Sequence, residues 1–92
     1  MRSRYTAFAR GDVDHLLRTW HATTRPPVLE LDADLRWTGL EVLATSGGGL
    51  LEARGTVQFV ARAVRRGRPE ELHEHSLFLR EQGQWRYVAA VP

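Results

Sequence analysis

Between Leu51 and Val64 every second residue is apolar or small: Leu51, Ala53, Gly55, Val57, Phe59, Ala61 and Ala63 share one parity. Glu52, Arg54, Thr56, Gln58 and Arg62 share the other. A run of that length with period two is a strand with one buried face. It is two to three times the usual strand length of about 5 to 6 residues. Similar segments lie on either side. The first strand is expected from about Leu35 to Thr45, ending at Gly47-Gly48-Gly49. The third is expected over about Glu71 to Glu81, after a turn at Gly67-Arg68-Pro69, and the fourth over Gln84 to Val91. Long antiparallel strands with one apolar face must twist, curl and find cover. Gly39 and Gly55 are the expected bend or bulge sites.

The cover must come from the first 25 residues. Arg2 to Ala9 reads as a helix with Tyr5 and Phe8 on one face and Gly11 placed to end it. Asp12 is an N-cap for a second helix, whose Val13, Leu16, Leu17 and Trp20 follow the spacing of a core-facing stripe. Pro26-Pro27 forbids continuation and pushes Arg25 out of the helical region. Residues 28–34 form a connection with a short turn or bridge. The expected fold is therefore α+β: N-terminal helices packed on a curled four-stranded antiparallel sheet, one domain over residues 1–92.

Composition removes several classes of function. Without cysteine there is no disulfide, thiolate nucleophile or cysteine-ligated zinc. No apolar run approaches the roughly 20 residues of a membrane span, and no signal-peptide core opens the chain, which points to a cytoplasmic protein. All thirteen cationic side chains are Arg, and Lys, Asn and Ile are absent, a pattern of GC-rich coding rather than of function. With eleven acids the net charge is only +2, which gives little support for a nucleic-acid partner. Arg62, Arg65, Arg66 and Arg68 cluster near a turn and are expected on a solvated hairpin arm.

The polar candidates sit on the third strand. Leu72, Glu74, Ser76 and Phe78 share one parity, which places Glu74 and Ser76 inward. A carboxylate facing an apolar interior needs a partner or a proton. Arg4 and Arg25 are the expected partners. Two uses remain open: a structural ion pair tying helix to sheet, or a general base with Ser76 and Tyr5 as hydrogen-bond donors. On the ion-pair reading Glu74→Ala would cost about 3 kcal/mol. Trp20, Trp37, Trp85 and Tyr87 are core residues or a stacking box for a ligand. His73 and His75, two apart on one strand face, could approach one metal, but no third ligand is assured, so no metal site is assigned. Val60, Val64, Leu77 and Leu79, on the convex face, could support a homodimer.

Several short signatures carry a resemblance. Met1-Arg2-Ser3-Arg4-Tyr5-Thr6-Ala7-Phe8, Thr19-Trp20-His21, Thr24-Arg25-Pro26, Leu72-His73-Glu74-His75-Ser76-Leu77-Phe78 and Gly83-Gln84-Trp85-Arg86-Tyr87-Val88 together resemble the central domain of the YchJ-like family. The resemblance implies a nuclear-transport-factor-two-like cone with a pocket, and no particular reaction. It implies Arg4, Tyr5 and Glu74-x-Ser76-x-Phe78 as motif residues, and His21 as the histidine lining the pocket. Family members typically carry a cysteine-rich SEC-C zinc segment upstream of the position of Met1. None of its cysteines lies in these residues, so zinc is not carried over and no cofactor is expected here. A trimmed domain, a start called inside a longer frame and a member without the module are the alternatives. The leading functional expectation is a non-catalytic accessory domain binding a small ligand or a protein partner. The alternative is an acid/base enzyme, isomerase-like or hydratase-like, using Glu74 with Tyr5 or His21. A third is an adaptor surface.

Overall fold

The computed structural model describes residues 2–49 and 51–91; Met1 of the opening signature lies outside them. Helix α1 (Arg2–Arg10) ends at Gly11, whose φ of 71° is the left-handed turn that glycine adopts without penalty. Helix α2 (Val13–Arg18) is capped by Asp12, whose side chain accepts from the His15 amide at 3.1 Å. Four strands follow: β1 (Leu35–Gly47), β2 (Arg54–Arg65), β3 (Arg68–Glu81) and β4 (Gln84–Ala90). They form one antiparallel sheet in the order β1-β2-β3-β4. No helix among the described residues is long and apolar enough to cross a membrane.

Strand parity holds through most of β2 and β3, with two departures: Val60, of the outward parity, is only 4% exposed, and Leu72, of the inward one, is 45% exposed. Val57 opposes Ser76, Phe59 opposes Glu74 and Ala61 opposes Leu72, so the expected inward residues of both strands lie side by side. Phe59, Ala61 and Ala63 are each at most 4% exposed. Leu16, fully buried, and Ala7 belong to the helical side of the core. Tyr5 and Phe8, three apart on α1, both meet Trp37 of β1, with ring centroids 6.1 Å apart in each case.

Four expectations are corrected. Trp20 is not helical: α2 stops at Arg18, and Trp20 forms an isolated parallel bridge with Tyr87. The Tyr87 amide donates to Thr19 O and the His21 amide to Tyr87 O, so sheet edge hydrogen bonds replace the last helical turn. Strand β2 begins at Arg54, leaving Leu51 fully exposed in the loop. The β2–β3 turn is Arg66-Gly67, with φ of 50° and 81°, and Pro69 lies inside β3 opposite Val64. Two consecutive positive φ angles define the hairpin turn that matches strand twist. Pro69 is tolerated because β4 pairs only with Ser76–Glu81, leaving that side of β3 free. Finally, β1 bulges between Trp37 and Gly39, as expected, and again between Val42 and Ala44, whereas the register runs unbroken through Gly55. Gly55 is there for close approach: a Cβ would lie 3.2 Å from Gly48 Cα.

Candidate functional site

The curl of the sheet under α1 leaves a cavity of about 140 Å³. Arg4, Tyr5 and Phe8 close it from α1, with Trp20 from the segment after α2. The sheet contributes Trp37, Phe59, Ala61, Leu72, Glu74, Ser76 and Tyr87. Its walls are mainly apolar and aromatic, with a polar group concentrated on β3 and β4.

That polar group has a definite donor order. Ser76, with no exposed surface, donates its hydroxyl to Glu74 Oε2. The Tyr87 hydroxyl donates to the same oxygen at 3.3 Å. Burial, then the Glu74 charge and this hydrogen bond, push the Tyr87 phenol up to about 12, with Arg4 opposing. At neutral pH Tyr87 therefore keeps its proton and acts as a donor.

Arg4 is 4% exposed, yet it makes no ion pair among the described residues. Its Nη1 donates to Leu16 O at 3.0 Å and to Thr19 Oγ1 at 2.8 Å. Its guanidinium lies 4.6 Å from the Tyr87 ring centroid and 5.1 Å from that of Trp20. Burial lowers its pKa to about 10, against the attraction of Tyr87 and Glu74. It is still a cation at neutral pH. The expected Glu74–Arg4 hydrogen bond is thus replaced by two separate solutions: Glu74 takes hydroxyls, and Arg4 takes a carbonyl, a hydroxyl and two aromatic faces. Glu74 is also half-buried rather than mostly buried.

Of the residues singled out by sequence, Arg4, Tyr5, Trp20, Trp37, Glu74, Ser76 and Tyr87 meet at this cavity. Phe78 and Trp85 line a second recess of about 370 Å³ on the far side of Arg4, beside Gly47 and Gly48. His21 turns away: its Nε2 lies 3.1 Å from Glu81 Oε1 and its Nδ1 2.7 Å from Thr23 Oγ1. Arg25 is exposed and donates twice to Trp20 O, at 2.9 and 3.2 Å, out of reach as a partner for Glu74. The bridge at Trp20 explains both displacements, because it sends the following residues along the outer edge of β4. Phe8, Phe59, Ala61 and Leu72 complete the cavity although sequence reasoning did not assign them to it. Their signals were present, in the i, i+3 pairing of Tyr5 with Phe8 and in the strand parity. No group of three or more potential ligands among the described residues is placed to hold a metal. His73 and His75 line a separate recess with Leu43, Gln58, Phe59 and Glu74.

Residues 1–90 match the family described as "YchJ, middle NTF2-like domain". The chain belongs to this family. It is 50% identical over 94 residues to a UPF0225 protein of Chromobacterium violaceum, covering 99% of this chain and 70% of that protein. It is 54% identical over 88 residues to a UPF0225 protein of Streptomyces coelicolor, covering 96% and 68%. The solution structure of a SEC-C motif containing protein from Rhodopseudomonas palustris superposes with a TM-score of 0.84 at 33% identity, over 99% of this chain and 73% of that one. The middle-domain assignment agrees with the cone, and these bacterial relatives extend beyond the stretch that the YchJ-like domain matches.

Proposed function

We propose that the domain is a non-catalytic binding module whose cone takes a small, largely apolar ligand carrying one hydrogen-bond donor. The observation that carries this reading is the convergence of Ser76 and Tyr87 on Glu74 Oε2 inside an aromatic cavity. A carboxylate already accepting two protein hydrogen bonds is oriented rather than free to abstract a proton, and its second oxygen suits a ligand O–H or N–H. A cavity of roughly 150 Å³ accommodates a benzene-sized molecule. The 140 Å³ here therefore sets a one-ring limit on what enters whole. A protein partner, or self-association through the convex sheet face, belongs to the same accessory role. That face is thinner than parity suggests, since Val60 is only 4% exposed.

Phenol and benzene titrated separately into the labelled protein, followed by NMR at the Trp20, Trp37 and Phe59 signals, test the reading. Phenol should bind about tenfold more tightly than benzene, the scale of one hydrogen bond. Glu74→Gln should shrink that difference. Neither compound perturbing the cavity signals at millimolar concentration would sink the proposal. Deuterium exchange into a bound carbon acid, lost in Glu74→Gln, would favour the acid/base enzyme instead.

A further inference from the structure

A basic corner lies outside the cone, where α2, the turn at residues 21–25 and the start of β4 meet. It is an open recess of about 480 Å³ lined by His15, Arg18, Thr19, Arg25, Gln84 and Arg86. Three arginines and a histidine line it, with no carboxylate among the lining residues.

Each guanidinium is held through a backbone carbonyl. Arg18 Nε donates to Asp14 O at 3.3 Å, Arg25 to Trp20 O at 2.9 Å, and Arg86 Nη1 to Arg18 O. Carbonyls orient a guanidinium without cancelling its charge, and its five donors leave several N–H groups to spare. The neighbouring acid, Glu81, is 3.9 Å from Arg86 Nε and is shared with His21 at 3.1 Å. The arginines of the β2–β3 arm are paired more closely: Arg62, Arg65 and Arg66 each have a carboxylate oxygen within 3.2 Å.

His15 supplies a second, independent observation. Its Nε2 is buried and has no hydrogen-bond partner among the described residues. Buried polar atoms are almost always satisfied, so this nitrogen, in a residue that lines the recess, is satisfied when the imidazole turns toward an acceptor entering the corner. We propose that this corner is an anion site for a compact phosphate-type dianion such as a phosphomonoester. Three terminal phosphate oxygens can receive Arg25, Arg86 and, once its ring turns toward the recess, the Nε2–H tautomer of His15, with the exposed Arg18 closing the rim. The site stands apart from the cone cavity and does not depend on it.

The test is an NMR titration of the labelled protein with inorganic phosphate, following the arginine Nε–Hε and His15 ring signals, with chloride at matched ionic strength as control. The four side chains should move together along one saturating curve that chloride does not reproduce. Arg25→Gln and Arg86→Gln should each weaken phosphate by about tenfold, the scale of one charge-assisted contact. The Trp37 indole signal reports whether each variant keeps its cone. If Arg86→Gln does not fold, Arg18→Gln, on an exposed helix face, carries the same reading with a smaller loss. Glycerol 3-phosphate and phosphatidate vesicles separate the two sources of the group: binding of the first alone assigns a soluble metabolite, and binding of both assigns a headgroup. Non-saturating shifts, shifts matched by chloride, or an unchanged midpoint in the Arg18 and Arg25 variants would overturn the proposal.

Discussion

The arm at the β2–β3 turn and the interior of the cone use the same two residue types in opposite ways. On the arm, arginine meets carboxylate directly. Arg65 bonds Asp32 and, at 2.8 Å, Glu70, while Arg66 reaches Asp34 at 2.8 Å. Arg62 lies 3.2 Å from Glu71 and 3.6 Å from Glu41. Inside the cone, Arg4 and Glu74 line one cavity without pairing. Water explains the difference. On the surface an ion pair forms at little cost and contributes little. In the interior a contact pair must offset the desolvation of both ions, and neutral donors, carbonyls and aromatic faces can satisfy each ion separately. Opposite charges on facing elements therefore do not by themselves imply a bond.

The largest effect should come from Arg4. Replacing it with Ala removes two charge-assisted hydrogen bonds and the packing against Trp20 and Tyr87, and chemical denaturation should register a loss of about 3 kcal/mol. A loss below about 1 kcal/mol would show that Leu16 O and Thr19 re-pair with water at no cost.

Glu74 should come next and separates the two arrangements most sharply. With no arginine to strand, Glu74→Ala should cost about 1.5 kcal/mol, for two buried hydroxyls left without their acceptor. Glu74→Gln should cost less, since the amide oxygen still accepts. A value near 3 to 5 kcal/mol would mean that a buried ion pair had been broken after all.

A pH effect follows from Tyr87. Its phenol is held up to about 12 against an ordinary 10.0, so the fold favours the neutral form. The stability it contributes is whole below pH 10 and is lost as pH rises towards 12. In an ultraviolet titration, part of the phenolate signal should appear only near pH 12, and Tyr87→Phe should remove it. Complete ionisation by pH 11 would contradict the buried hydrogen bond to Glu74.

The smallest effect belongs to the arm. Asp32 is held below its usual carboxylate value by Arg65, so its contribution is present at neutral pH and fades as pH falls through the lowered value. Both groups are solvated, so Arg65→Gln should barely move the melting temperature in 1 M salt, and only slightly at low ionic strength. A large, salt-independent drop would place the arm with the interior.

Legibility along the chain followed the range of the interactions. The Asp12 cap, the Gly11 stop and the alternation of β2 and β3 depend on neighbours within a few residues, and they stand where the sequence puts them. Parity also brought Glu74 and Ser76 to the inner face, where the structure has them. The end of α2 was not legible, because Thr19 and Trp20 are held by Tyr87, more than sixty residues away. The start of β2 was missed for a related reason: Leu51 and Ala53 continue the alternation, but the pairing with β1 begins only at Gly47 and Gly55. The corner of His15, Arg18, Arg25 and Arg86 left no local pattern at all.

The sequence by itself determined which residues face inward, that four long strands need a helical cover, and that the inner face carries a carboxylate beside a serine. Those are consequences of period, propensity and burial, which act residue by residue. Only the tertiary structure decided who bonds to whom. Tyr87 rather than arginine serves Glu74, Arg4 serves the carbonyl of α2, and Arg25 leaves the cone. Those choices depend on a parallel bridge at Trp20 and on the cost of desolvating two charges at once, and neither is encoded in any short stretch of chain.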